Sequence, residues 1–235
     1  MPKKLYICFL QKKTRLHNFK VVIDGHDIAE VPAVKYLGVT LDNRMSWKPH
    51  IDNVIGKFSR GCWAIANLRK FLNMEILRTL YYSLVYPYIH YGITNWGSAA
   101  KTHLSKLEIK HKRIVRLMTW SKYNSPSNPI FAKLRLLKIQ DVFKLKIAML
   151  IKKIITDDTL VTNGIQLLSE IHPYSTRSKT KHKFYVPRTR TNLGKTTIQY
   201  QGPIIWNEIP DEYREKNFTS LKRSLKKYYI EKYKE

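Results

Sequence analysis

The sequence predicts an α+β protein that is mainly α: a small N-terminal antiparallel β unit, a helical bundle, and an irregular C-terminal α+β module. Three observations carry this. Short apolar runs broken by Asp24-Gly25 and by Gly38 occupy the first 45 residues. From Ser46 onward the apolar residues change to a helical period. After residue 156 the chain becomes polar and loses any sustained period until the last helix.

Residues 5–9 (Leu-Tyr-Ile-Cys-Phe) read as a buried strand, residues 19–23 as a second, and residues 34–41, with Gly38 in the middle, as the piece that completes the unit. A helix opening on Ser46 then presents Trp47, Ile51, Val54, Ile55, Phe58, Cys62, Ile65 and Leu68 along one stripe. Asn73 is placed to cap a second helix, with Ile76, Leu77, Leu80, Tyr81, Leu84 and Val85 on one face and Pro87 ending or kinking it. Thr102 is read as the cap of a third helix that turns Leu104, Leu107, His111, Ile114, Val115 and Met118 inward. Pro126 and Pro129 mark a linker. A fourth helix covers about 140–155 through Val142, Leu145, Ala148, Met149 and Ile151. Residues 157–200 are irregular, with two short strands near 183–187 and 196–200. A basic final helix covers about 219–232, with Leu221, Leu225, Tyr228 and Tyr229 on one side.

Charge is the strongest functional signal. The 235 residues carry 43 Lys+Arg against 17 Asp+Glu, a formal net charge of +26. Such an excess points to a polyanionic partner. Residues 99–156 hold 14 basic residues against Glu108 and Asp141, and residues 171–207 hold seven with no acid. The second run interleaves with Ser, Thr and Tyr, whose hydroxyls add hydrogen bonds to a phosphate backbone. A solvated basic face explains one such run; two runs and a basic final helix favour nucleic acid. The final helix also has the composition of one lying on an anionic membrane, a reading that ranks last because the other basic runs are not amphipathic helices.

Other chemistry finds little support. Cys8 and Cys62 are far apart, and the eight His have no partner at metal-ligand spacing. No Gly-rich phosphate loop and no Ser–His arrangement is visible. The uncharged stretch 79–100 holds Pro87, Gly92, Asn95, Gly97 and five Tyr, so it reads as a buried helix and turn, not a membrane span. No secretory signal is evident, so an intracellular protein, nuclear or cytoplasmic, is expected. Trp96, Trp120 and Trp206 read as core anchors, and "GPIIWNEIP" (202–210) as a clasp with Pro203 and Pro210 fixing its turns.

The order of motifs adds a resemblance. "VKYLGVTLDNRMSWKPHI" (34–51), "LYYSLVYPYIHYGITNWG" (80–97), "LEIKHKRIVRLMTW" (107–120), "LRLLKIQDV" (134–142) and "QGPIIWNEIP" (201–210) together resemble the C-terminal part of reverse transcriptases from non-LTR (LINE-like) retrotransposons. The resemblance implies three segments: the end of a palm at 1–45, a thumb-like helical region at 46–124, and a basic C-terminal extension at 125–235. It implies that Tyr36, Leu37 and Gly38 form a primer-support turn. It further implies a C-terminal fragment of an RNA-directed DNA polymerase, whose Mg²⁺-binding aromatic-Ala-Asp-Asp hairpin would lie upstream of that turn. No such hairpin precedes Tyr36 here, and Asp157-Asp158 sits in the wrong context, where a helix end and loop start is the better reading.

Catalytic residues and a cofactor are therefore not expected in this chain. The expected partner is RNA, DNA or their hybrid, together with the upstream polymerase region. The alternative is a stand-alone, non-catalytic basic nucleic-acid-binding protein derived from such an element. The expected contact residues are Lys48, Lys57 and Arg60 on the first helix, Lys110, Lys112, Arg113 and Arg116 on the third, and Arg177, Lys179, Lys181, Lys183, Arg188, Arg190 and Lys195 beyond.

Overall fold

The computed structural model describes residues 6–7, 22–23, 26–156, 164–171 and 183–234. Six short strands come first: β1 (Tyr6–Ile7), β2 (Val22–Ile23), β3 (His26–Asp27), β4 (Ala29–Glu30), β5 (Ala33–Tyr36) and β6 (Val39–Asp42). β2 pairs with β3 and β5 with β6, both antiparallel. β1 lies parallel to β4, so the expected strand at 5–9 joins the β unit in the other sense. The connection between them is long enough to allow a parallel return, which a tight turn could not. The Asp24-Gly25 turn falls outside the described residues.

The β5–β6 hairpin closes through two residues, with Tyr36 opposite Val39. Leu37 (φ 44°) and Gly38 (φ 80°) both adopt positive φ. That is the turn whose twist matches paired strands, and glycine relieves it of one steric penalty.

β6 hands over to α1 (Lys48–Leu68) through Asp42. Its buried carboxylate accepts from the N–H and Oγ of Ser46 (3.0 and 2.9 Å) and from the N–H of Trp47 (2.9 Å). Burial pushes the Asp42 pKa up, but these hydrogen bonds outweigh it and hold the carboxyl below its usual value. The helix therefore begins two residues after the expected Ser46, with Trp47 in a left-handed conformation (φ 62°). Ile51, Val54, Phe58, Cys62 and Ile65 are buried as expected, whereas Leu68, in the fraying last turn, is exposed.

Asn73 caps α2 (Met74–Leu84), its side chain accepting from Ile76 N–H (3.0 Å). Leu77, Tyr81 and Val85 are buried; Ile76 and Leu84 are at the edge of the stripe and stay exposed. The chain bends at Val85 and restarts as α3 (Tyr86–His90) with Pro87 in its first turn, followed by α4 (Ile93–Trp96). α5 (Lys101–Met118) has Ala100, not Thr102, at its N-cap. Its six expected inward residues are all buried.

The segment expected as a linker is a helix, α6 (Ser127–Leu134), with Pro126 at its N-cap and Pro129 in its first turn, where a missing N–H costs nothing. Ile130, Phe131 and Leu134 anchor it in the core. α7 (Ile139–Thr156) buries residues on most of its circumference. α8 (Leu168–Ile171) and a 3-10 turn (Gly194–Thr196) precede α9 (Ile198–Asn207), so residues 198–200 are helical rather than strand. Near 183–187 there is one bridge, Leu167 to Phe184, because the Asn207 side chain takes the strand's place: it accepts from Phe184 N–H (3.0 Å) and donates to Phe184 O (2.9 Å). Trp206 is buried as expected, but Pro203 lies inside α9; Pro210 caps α10 (Asp211–Arg214). α11 (Phe218–Glu231) closes the fold, capped by Asn217.

One contiguous apolar core takes residues from the hairpin, from α1 through α7, from α9 and from α11. At its centre Tyr81 Oη and His111 Nε2 share a buried hydrogen bond of 2.7 Å. Burial pushes the His111 pKa down to about 3. Gly97 lets α4 meet α7: a Cβ there would lie 2.8 Å from Phe143 Cγ.

Two predictions follow from this core. His111 stays neutral in the folded state but takes a proton near its ordinary value of 6.5 when unfolded. Stability is therefore complete above about pH 6.5 and falls toward pH 3 by up to about 1.4 kcal/mol per pH unit from this group. Urea melts at pH 7 and pH 5 should show this loss, and the double variant Tyr81→Phe, His111→Leu should reduce the slope. Gly97→Ala should destabilise by about 1–3 kcal/mol through overpacking, read by thermal denaturation.

Candidate nucleic-acid interface

The hairpin tip is held from below and open above. Tyr91, between α3 and α4, donates its hydroxyl to Leu37 O. Its ring lies under Gly38, where a Cβ would sit 3.4 Å from Cε1. Gly92 (φ 62°) keeps the corner close: a Cβ there would lie 3.1 Å from Val39 Cγ2. Trp96 Nε1 fastens the same corner by donating to Tyr91 O (3.0 Å). With the backbone of the turn fixed, Tyr36 and Leu37 are 63% and 73% exposed. Two apolar side chains on a rigid tip are suited to lie against a flat surface such as a sugar–base edge.

The second part is an open groove of about 630 Å³ between α1 and the α2–α3 bend, lined by Lys57, Arg60, Trp63, Leu84 and Tyr88 among others. Gly61 brings the helices close there, since a Cβ on it would meet Val85 Cγ2 at 2.9 Å. The Lys57 ammonium lies over the Tyr88 ring, 4.8 Å from its centroid. Trp63 is 72% exposed. A basic groove with an exposed indole pairs phosphate attraction with a stacking platform. Lys48, expected alongside Lys57, forms an exposed ion pair with Asp52 (2.8 Å).

The four expected contacts on α5 divide. Lys110 and Arg113 face the α1 side, where their charges reach the Cys62 thiol. Lys112 lines a separate cavity with Glu108 and Asp141. Arg116 donates from Nε to Ser125 O (2.9 Å), which ties the loop after α5 to the helix. Beyond, Asn207 anchors Phe184, and with it the segment that presents Arg188, Arg190 and Lys195 to solvent; Lys183 is half-buried. Arg177, Lys179, Lys181 and the Asp157-Asp158 pair lie outside the described residues.

Trp120, expected in the core, is 58% exposed in a left-handed conformation (φ 56°). The Arg69 guanidinium stacks on it at 4.0 Å and donates to Leu117 O (3.1 Å), bridging the ends of α1 and α5. Trp63 was legible only as a residue opposite the inward stripe of α1, and the Arg69–Trp120 stack carried no sequence signal. Among the described residues no group of three His, Cys, Asp or Glu is gathered to hold a metal. No helix among them is long and apolar enough to cross a membrane.

Comparison with known proteins finds similarity over part of the chain. The chain is 31% identical over 125 residues to the RNA-directed DNA polymerase from mobile element jockey of Drosophila melanogaster, a match covering 52% of this chain and 14% of the relative. It is 27% identical over 124 residues to the probable RNA-directed DNA polymerase from transposon BS of Drosophila melanogaster (50% and 13% of the two chains). Over about half its length the chain is similar to the reverse transcriptases of non-LTR retrotransposons. The X-element polymerase of the same fly, 24% identical over 139 residues, covers 57% of this chain and 15% of its own. The matches span about one seventh of the length of these reverse transcriptases. No protein-family model and no solved structure matches the chain.

If the groove takes a single strand, Trp63→Ala weakens binding of a single-stranded oligonucleotide by about 1–3 kcal/mol. Its melting temperature should stay close to that of the parent protein, because the indole is outside the core. Fluorescence anisotropy and a thermal melt check the two halves.

Proposed function

We propose that this chain holds template–primer nucleic acid for an RNA-directed DNA polymerase and does not itself carry the nucleotidyl-transfer centre. The observation that carries this reading is the groove in which Lys57 and Arg60 flank the exposed Trp63. It offers charge and stacking with no arrangement that reads a base sequence. In this reading the hairpin tip, Tyr36-Leu37-Gly38, supports the primer end as the last part of a palm (1–45), α1 to α5 act as a thumb (46–124), and residues 125–235 form a basic extension. The partners are RNA, DNA or their hybrid and the polymerase region that supplies the Mg²⁺-binding aspartates.

A second reading, a stand-alone non-catalytic nucleic-acid-binding protein, is favoured by the single contiguous core that joins all three segments. A core of that kind gives the isolated chain a cooperative thermal transition; a non-cooperative melt speaks against this second reading.

Binding of an RNA–DNA hybrid should weaken at least about tenfold between 50 and 200 mM salt and vary little with sequence. Lys57→Ala with Arg60→Ala should reduce the slope of log affinity against log salt by about two. An affinity that stays flat as salt rises would sink the proposal.

A further inference from the structure

α3 is a ridge with two flanks. Its Ile89 is fully buried and its Pro87 exposed. At about 100° per residue, Tyr88 and His90 therefore emerge on opposite sides of that crest. Tyr88 turns to α1, where Lys57 covers its ring and the groove begins. His90 turns to α7, which packs against both α3 and α11. There two lysines meet it, Lys146 of α7 and Lys222 of α11, close enough for both charges to act on the imidazole. His90 and Lys146 are half-buried, and Lys222 is exposed at the rim. Among the described residues neither lysine makes an ion pair within 4.0 Å, and no carboxylate is among the charges acting on His90 or Lys146. Burial and then the two lysines push His90 below its ordinary value of 6.5; burial and then Lys222 lower Lys146. The other titratable neighbours of His90 are phenols: Tyr86, 5.4 Å away between ring centroids, and behind it Tyr82 of α2, 5.2 Å from Tyr86. Lys57 of α1 is on the other flank.

Three basic groups from three helices, with no acid among them, repel one another until an anion enters. We propose that His90, Lys146 and Lys222 form a phosphate site that takes internal phosphodiesters of a nucleic-acid strand, on the far flank of α3 from the groove. A strand lying on Lys57 and Trp63 reaches it by crossing the α3 crest. A phosphodiester fits because it keeps its charge throughout the working pH range and accepts from ammonium and imidazolium alike. Its charge also reverses the field at His90, so filling the site favours the protonated ring and takes up a proton. The inference rests on the nucleic-acid reading above. It adds a second contact and a pH dependence that the histidine-free lining of the α1 groove does not supply.

The test is fluorescence anisotropy of the full chain with a 5′-hydroxyl single-stranded oligonucleotide of about 12 nucleotides, which carries internal phosphodiesters only. Lys146→Met with Lys222→Met should weaken binding about tenfold and lower the slope of log affinity against log salt by about 1.4. Lys133→Met with Lys227→Met removes the same charge elsewhere and should change affinity by less than about twofold. The parent's affinity should fall as the pH rises from about 5.5 to about 7.5, and His90→Gln should remove most of that dependence. An unchanged double variant, equal loss in the control variant, a parent affinity flat with pH, or a pH dependence that survives His90→Gln overturns the site. The groove is judged separately, by Lys57→Ala with Arg60→Ala. Loss in that variant beside an unchanged Lys146→Met, Lys222→Met variant leaves the groove and overturns the cluster; the reverse pattern leaves the cluster and overturns the groove. A Lys146→Met, Lys222→Met variant that loses binding to phosphatidylserine vesicles but keeps the oligonucleotide assigns the cluster to a membrane surface and also overturns the proposal. If the double variant fails to melt cooperatively, amide NMR of the parent protein decides: oligonucleotide-induced shifts at His90, Lys146 and Lys222 support the site, and a titration that leaves all three unmoved overturns it.

Discussion

The fold turns on the Tyr81–His111 hydrogen bond. It is a polar contact at the centre of a largely apolar core, and each partner satisfies the other where water cannot reach. The imidazole stacks on Tyr81 (5.8 Å between ring centroids) and meets the rings of Phe58 (6.1 Å) and Phe131 (4.9 Å) edge-on. Phe131 in turn meets Tyr233 at 6.2 Å. These five rings belong to α1, α2, α5, α6 and the residues just after α11, so one residue on α5 registers most of the bundle. A core built around a paired polar contact tolerates fewer alternative packings than a purely aliphatic one, because sliding α2 or α5 by a turn leaves the buried hydroxyl and imidazole without their partner.

That registration explains how the proposed nucleic-acid surface is positioned at a distance. α1 is clamped at its start by Asp42, in its middle by Phe58 against His111, and at its end by Arg69 against Leu117 and Trp120. With the axis of α1 held at three points, the residues on its outer face, Lys57, Arg60 and Trp63, have a defined relation to the hairpin tip. The tip is itself seated on Tyr91 and Gly92. Rigidity in the support and exposure at the tip are complementary features. An element that presses on a flexible polymer such as nucleic acid gains affinity when it does not have to be ordered at the moment of binding.

The charge excess is divided among different uses by the fold. Lys48 is partly neutralised by Asp52, Arg116 holds a loop, and Arg69 braces two helix ends. Lys57, Arg60, Arg188, Arg190 and Lys195 remain turned to solvent or to an open groove. Lys112, Lys138 and Lys232 share a cavity with the carboxylates of Glu108 and Asp141. A count of basic residues therefore does not tell these uses apart. Guanidinium groups near helix ends are readily recruited by unsatisfied carbonyls, and an ammonium one helical turn from an acid pairs with it.

Much of this was determined by the sequence alone. The hairpin at 34–41, the inward stripe of α5, the Asn73 cap and the burial of Trp96 and Trp206 rest on local spacing, which a linear reading captures, and five ordered motifs carried the resemblance to reverse transcriptases. Tertiary structure decided the rest. Pro126 and Pro129 look like a linker until Ile130, Phe131 and Leu134 find a core to enter, and prolines in a first helical turn cost nothing there. Residues 198–200 have strand-like composition, yet α7 gives them and α9 a surface to pack on, while the Asn207 side chain supplies the strand hydrogen bonds that Phe184 would otherwise lack. Trp120 reads as core because indoles usually are; the left-handed turn after α5 swings it out to meet Arg69. The meeting of His90, Lys146 and Lys222 has no sequence signature, because they come from three helices brought together only when the core closes around His111.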